Sequence, residues 1–93
     1  MSEVYKALAD PTRRRILQLL RDKAMSAGEI ADHFALAKPT LSGHFAVLRE
    51  ARLVDAEKSG TTITYRLNIS VLEEALLALM DGFKLGSDKE RKP

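Results

Sequence analysis

The sequence predicts a mostly α-helical fold carrying one β-hairpin, and three observations support that reading. Helix starts are marked by Asp10-Pro11, by Ser26-Ala27-Gly28-Glu29, by Lys38-Pro39 and by Ser70-Val71-Leu72-Glu73. The spacing of apolar residues is helical up to residue 51, then alternates between residues 62 and 67, which is the period of a half-buried strand. Gly60 falls between the two β-prone runs, where a tight hairpin needs a residue at positive φ.

Asp10 is suited to an N-cap and Pro11 to the first helical position, where its missing N–H is no loss. The helix they open is expected to reach about Asp22, with Ile16, Leu17, Leu19 and Leu20 inward. Arg13, Arg14 and Arg15 fall outside that stripe. A solvated or dimer-bridging role is expected for them rather than phosphate binding, since the run opens a helix read as packed away from the next helical pair. Ser26 and Glu29 form a capping box, each side chain reaching the other's backbone N–H. The helix that follows is placed at 27–34, with Ile30, Ala31 and Phe34 inward.

Ala35-Leu36-Ala37 is long enough only to turn. Lys38 is read as a weak N-cap, and Leu41, Phe45 and Leu48 recur at the spacing of one buried helical face. The segments 27–34 and 38–51 therefore form a helix-turn-helix whose second helix carries a small, polar outer face. Two short strands at 53–58 and 62–67, joined by Ser59-Gly60-Thr61, follow as a wing. A hairpin alone is marginal in water, so it must lean on the helices. The last helix runs from the Ser70 capping box to about Leu85. Its apolar stripe is Val71, Leu72, Ala75, Leu76, Leu79, Met80 and Phe83. Residues 1–85 are read as one domain and 86–93 as a disordered tail, the latter being charged and almost free of apolar side chains.

Composition narrows the function. The chain has 93 residues, 15 Lys+Arg, 13 Asp+Glu, two His and no Cys. Without cysteine there is no disulfide, thiolate metal site or thiol redox chemistry. The longest apolar run, 75–80, falls far short of the ~20 residues that span a bilayer, and the opening Met-Ser-Glu-Val has no signal-peptide pattern. A soluble cytoplasmic protein without membrane association is expected. A domain of this size buries only about 60–65% of its unfolded surface, so oligomerisation is expected to stabilise it. The net charge of +2 says little, but no acid occurs between His33 and Arg49. No nucleophile–base pair, glycine-rich phosphate loop or carboxylate cluster is visible, so an enzyme is not expected. No cofactor is expected either.

The segments Ala7-Leu8-Ala9-Asp10-Pro11-Thr12-Arg13-Arg14-Arg15-Ile16-Leu17, Lys38-Pro39-Thr40-Leu41-Ser42-Gly43-His44-Phe45-Ala46-Val47-Leu48, Ala51-Arg52-Leu53-Val54 and Gly60…Tyr65-Arg66-Leu67-Asn68 occur in order. Together they resemble the ArsR/SmtB-type winged helix-turn-helix repressors over about residues 3–83. The short chain is most similar to the SdpR-like autorepressors of that family, which lack metal sites. Where the family's metal sensors carry cysteines this chain reads Glu29-Ile30-Ala31-Asp32-His33-Phe34, and its last helix has no histidine. No metal site is expected. Arg52 occupies a position where the family usually has glycine, so the helix before it is expected to end differently. Thr61 follows the wing glycine where the family often has arginine, which weakens the expected contact at the wing tip.

The resemblance implies double-stranded promoter DNA as the partner. The candidate contacts are Lys38, Pro39, Thr40, Ser42, Gly43 and His44 on the second helix, Arg49 at its end, and Lys58, Thr61 and Arg66 on the wing. Lys38 can meet a phosphate or guanine, Thr40 and Ser42 can donate or accept at base edges, and Gly43 lets the backbone approach. His44 borders the buried face, which favours a scaffold role over DNA contact and leaves both open. Arg49, Lys58 and Arg66 are phosphate candidates because they flank that helix and the wing. The resemblance also implies a homodimer built from Val4, Tyr5 and Leu8 with Leu72, Leu76, Leu79, Met80 and Phe83, acting as a repressor on an inverted repeat. Two other readings stay open: a metal- or small-molecule-responsive repressor of the same fold, and a protein-interaction module. An inducer or anti-repressor protein is not identifiable from the sequence.

Overall fold

A computed structural model describes residues 2–85; the tail expected at 86–93 lies outside them. The order is α1 (Ser2–Leu8), α2 (Pro11–Leu20), β1 (Met25–Ser26), α3 (Ala27–Ala31), α4 (Lys38–Glu50), β2 (Val54–Ser59), β3 (Thr62–Leu67) and α5 (Ile69–Gly82). Three antiparallel strands lie in the order β1-β3-β2. The mostly helical fold with a hairpin wing is the one expected.

The helix starts follow the local chemistry, with two corrections. Asp10 caps α2 by accepting from the Arg13 backbone N–H, with Pro11 in the first turn. Ser26 and Glu29 make the reciprocal capping box of α3. At α4, Ala37 rather than Lys38 is the N-cap, and no side chain caps it. At α5 the Ser70–Glu73 pattern is not used. The helix starts two residues earlier behind Asn68, again without a side-chain cap, because β3 delivers the chain directly into it.

The core is one cluster in which Ile16, Ile30, Leu48 and Leu53 are fully buried. Leu41, Phe45 and Leu48 are the buried residues of α4, as their spacing required. The Phe45 and Tyr65 rings stack with centroids 4.4 Å apart, which ties the wing to α4. β1 was not foreseen; Met25 and Ser26 pair with Tyr65 and Thr64 and make β3 the central strand. The hairpin loop is the two residues Gly60-Thr61, since Ser59 pairs with Thr62. Only Gly60, at φ 63, takes positive φ there, the requirement of a type II′ turn.

The end of α4 is a Schellman motif. The Leu53 N–H donates to Leu48 O at 3.0 Å and the Arg52 N–H to Arg49 O at 2.9 Å. Arg52 sits at φ 63, so the helix ends as a glycine would end it, and the expectation of a different ending is corrected. The reason is that Leu48 and Leu53 are both fully buried, and their contact fixes the turn whatever residue lies between. α5 ends in the same way. The Leu85 N–H donates to Met80 O at 2.7 Å and the Lys84 N–H to Asp81 O at 3.0 Å, with Lys84 at φ 57.

Arg52 is exposed and its left-handed backbone costs about 1 kcal/mol relative to glycine. Arg52→Gly is therefore expected to stabilise the fold by about 0.5–1 kcal/mol, raising the thermal midpoint by about 2–8 °C. Circular dichroism melts at matched protomer concentration check it; an unchanged or lower midpoint would refute the strain.

Candidate nucleic-acid interface

The buried stripe of α4 turns its other side outward. Lys38, Pro39, Thr40, Ser42 and Gly43 are all exposed, as is Arg49 in the last turn. An ideal Cβ at Gly43 would meet nothing within 4 Å, so packing within the protomer does not require glycine there. The uncapped start of α4 leaves backbone N–H groups pointing out beside Lys38, an arrangement that favours anions.

Alternation along the hairpin divides the wing residues between two faces. The Tyr65–Phe45 stack turns one face toward α4, and on it Lys58 lies opposite Ile63 in register. Asp55, Glu57, Thr64 and Arg66 alternate to the other face, with Asp55 opposite Arg66. Arg66 borders a depression with Arg21, Asp22 and Lys23 at the end of α2. Lys58 therefore lies on the face of the hairpin turned toward α4 and Arg66 on the other, while Thr61 is exposed in the loop between the strands. Arg49 lies near the Tyr65 phenol. Burial raises that phenol above its ordinary 10.0, and the Arg49 charge partly opposes the shift.

His44 is half-buried and faces α2. Its Nδ1 lies 3.2 Å from Arg13 Nη1 and 3.9 Å from Asp10 Oδ2. Arg13 also donates from Nε to Ala7 O at 2.9 Å and from Nη2 to Lys6 O at 3.0 Å. Arg14 donates to Leu8 O at 2.8 Å. The expectation of a solvated or dimer-bridging arginine run is thus corrected for Arg13, while Arg14 and Arg15 are exposed. The error arose from reading α2 as packed away from α4, whereas the two helices pack together. Sequence spacing held no signal for this, because the acceptors are carbonyls of α1.

α5 is poorly anchored. Ala75 is its one buried residue, while Leu76, Leu79, Met80 and Phe83 are exposed, Phe83 to 70%. Val71 and Leu72 are half-buried against the core, as are Tyr5 and Leu8 from α1. Val4 was expected at an interface but is only 7% exposed; α1 packs against α2, α4 and α5 and spends that side chain inside the protomer. Among the described residues no three His, Cys, Asp or Glu side chains gather in metal-binding geometry, and no helix is long and apolar enough to cross a membrane.

A helix-turn-helix whose outer face is polar, followed by a two-stranded wing, defines a winged helix-turn-helix DNA-binding protein. Residues 8–57 match the helix-turn-helix domain family HTH_20. The transcriptional repressor SdpR of Bacillus subtilis strain 168 is 39% identical over 88 residues, covering 95% of this chain and 98% of SdpR. The arsenical resistance operon repressor of Staphylococcus xylosus is 37% identical over 73 residues, covering 78% and 70% of the two chains. The crystal structure of an ArsR family transcriptional regulator superposes with a TM-score of 0.83 at 25% identity, covering 89% of this chain and 91% of that one. The chain belongs to the ArsR family of winged helix-turn-helix transcriptional repressors. Its relatives regulate transcription and are not enzymes.

The Arg13 backbone N–H is the main reason the Asp10 carboxyl titrates below its ordinary 3.8; partial burial opposes it, and the His44 and Arg13 charges add to it. The unfolded chain then binds the proton more readily than the folded one. The contribution is complete above about pH 3.8 and is lost as pH falls through the folded value. Asp10→Asn keeps an oxygen acceptor but not the charge. It is expected to lose less stability than wild type between about pH 6 and about pH 3, measured by urea unfolding; equal losses would remove Asp10 from the acid response.

Proposed function

We propose that the chain acts as a homodimer that occludes a promoter, its own included, by placing two copies of α4 in successive major grooves of an inverted repeat. The contacts are Lys38, Pro39, Thr40, Ser42 and Gly43 on α4, with Arg49, Lys58 and Thr61 flanking them. Gly43 carries the reading. Glycine inside a helix costs about 0.8–1 kcal/mol relative to alanine, and open space above it leaves that cost unexplained by the protomer. Close approach of DNA to the helix backbone explains it. Dimer pairing through Leu76, Leu79, Met80 and Phe83 accounts for the apolar surface of α5, and a two-fold axis would set the α4 pair about 34 Å apart. The likeness to the transcriptional repressor SdpR supports repression, and a chain with no cysteine has no thiol with which to sense.

A second reading has one observation in its favour. An apolar groove of about 480 Å³ runs between α2 and α5, bounded by Leu8, Leu17, Leu67, Leu72 and Leu76, a size that suits a small molecule. The arsenical resistance repressor makes a metal- or metalloid-responsive variant the natural comparison. Operator affinity unchanged across zinc, nickel, cadmium, arsenite and chelator titrations sets the metal version aside.

Footprinting on the region upstream of the protein's own gene tests repression directly; a protected inverted repeat is expected and no protection refutes autorepression. Gly43→Ala is expected to stabilise the fold by about 0.8–1 kcal/mol while weakening DNA binding about tenfold. Unaltered binding would show that DNA does not approach this backbone. Lys38→Ala, which removes one phosphate contact from each protomer, should flatten the salt dependence of log K by about 1.8 per dimer. Sedimentation at micromolar concentration should show a dimer, and Leu79→Glu a monomer that binds DNA poorly.

A further inference from the structure

Arg13 links three helices through one guanidinium. It grows from the first turn of α2, holds the Ala7 and Lys6 carbonyls at the end of α1, and meets His44 in the middle of α4. A guanidinium has N–H donors and no acceptor, so the contact to His44 has one sense. Arg13 Nη1 donates, Nδ1 of His44 carries the lone pair, and the ring proton sits on Nε2. Asp10 Oδ2, 3.9 Å from the same nitrogen, is too far for a hydrogen bond and accepts from the Arg13 backbone at 3.1 Å.

We propose that Arg13 and neutral His44 form a positioning latch that sets the seating of α4 against α1 and α2, and that protonation of His44 releases it. The inference rests on α4 being the DNA-contacting helix. Protonation would put a second N–H donor where the lone pair was, leaving two cations face to face and Asp10 as the neighbouring acceptor. The ring would then turn from Arg13 toward Asp10. The charged groups that face His44 are Asp10 and Arg13, next to one another at the start of α2; α1 meets Arg13 through the Ala7 and Lys6 carbonyls. Because His44 follows Gly43 directly, any re-seating there moves Thr40, Ser42 and Gly43 together. Because α1 packs on α5 as well as on α4, the latch adds a polar link to the packed contacts that join α5 to the DNA face. Arg13 acts here through His44 and is a positioning residue.

Two measurements decide it. Imidazole ¹⁵N spectra of the full chain near neutral pH should show His44 with an unprotonated, hydrogen-bonded Nδ1 and a protonated Nε2; a proton on Nδ1 overturns the latch. For DNA, the probe is the duplex that wild type selects from a random-sequence pool. His44→Asn places an oxygen where Nδ1 was and does not titrate, so it should bind within about threefold of wild type, whereas His44→Ala should lose about tenfold. Arg13→Lys, which keeps the charge but not the fork, should also lose about tenfold, and the double variant Arg13→Lys/His44→Ala no more than His44→Ala alone. Losses that multiply would show His44 acting on DNA independently and overturn the proposal. Wild-type affinity should fall about tenfold from about pH 8 to about pH 5.5, and that of His44→Asn by under about threefold. Parallel pH profiles overturn the release step. If wild type selects no duplex, the DNA reading of α4 fails, and the ¹⁵N spectra alone decide the latch.

Discussion

The structure depends on the apolar stripe of α4. Leu41, Phe45 and Leu48 are committed to the core, and because helix geometry places i, i+4 and i+7 on one side, Ser42, Gly43 and Ala46 on the other side face out while His44 and Val47 border the buried stripe. The same stripe positions the wing, since Phe45 stacks on Tyr65 of the central strand. It also ends the helix, since Leu48 and Leu53 close the Schellman turn that throws the chain into β2. A polar recognition surface, a wing beside it and the angle between them thus follow from where a few side chains are buried.

The second constraint is scarcity of core. Among the described residues fifteen apolar ones are buried, and Ala75 is the only one of them that α5 supplies. A small domain cannot cover a long apolar helix with its own surface, so Leu76, Leu77, Leu79, Met80 and Phe83 face outward. α1 is too short to be stable alone. It holds its place through Val4 and Ala7 in the core and through arginines of α2 on its terminal carbonyls. Among the described residues α1 and α5 are therefore the least self-sufficient elements, and the proposed homodimer would cover both.

Much of this was legible in the sequence because it is local. Capping at Asp10 and Ser26, the buried face of α4 and the strand alternation at 62–67 are each written within a few neighbouring residues, and the fold follows from their order. What escaped is long-range. β1 spans two residues, too few for any period, and exists only because β3 offers an open edge. The junction of Arg13 with α1 and His44 depends on backbone carbonyls, which carry no sequence signature. Arg66 was grouped with the DNA face because a basic residue in a wing looks alike on either face; the pairing register, with Asp55 opposite it, separates them. The helix end at Arg52 was misread because the cost of its backbone was weighed without the buried leucine pair that enforces it.

Local costs are unevenly distributed in this molecule. α2 and α3 have capped starts, Asp10 for one and the Ser26–Glu29 box for the other. α4 has no side-chain cap, a glycine at its middle with open space above it, and an arginine in left-handed conformation just past its end. Each is a departure from local consistency of about 1 kcal/mol, tolerated because the buried stripe and the wing over-determine the helix. The first two departures leave backbone N–H groups and bare helix surface on the exposed side of α4, where a phosphodiester backbone and base edges would come close. The third has no such use and is explained by packing alone. α5 shares the missing cap and the left-handed residue past its end, so of the three departures only the glycine in the middle of α4 sets that helix apart, and it is the one that bears on the proposed DNA contact.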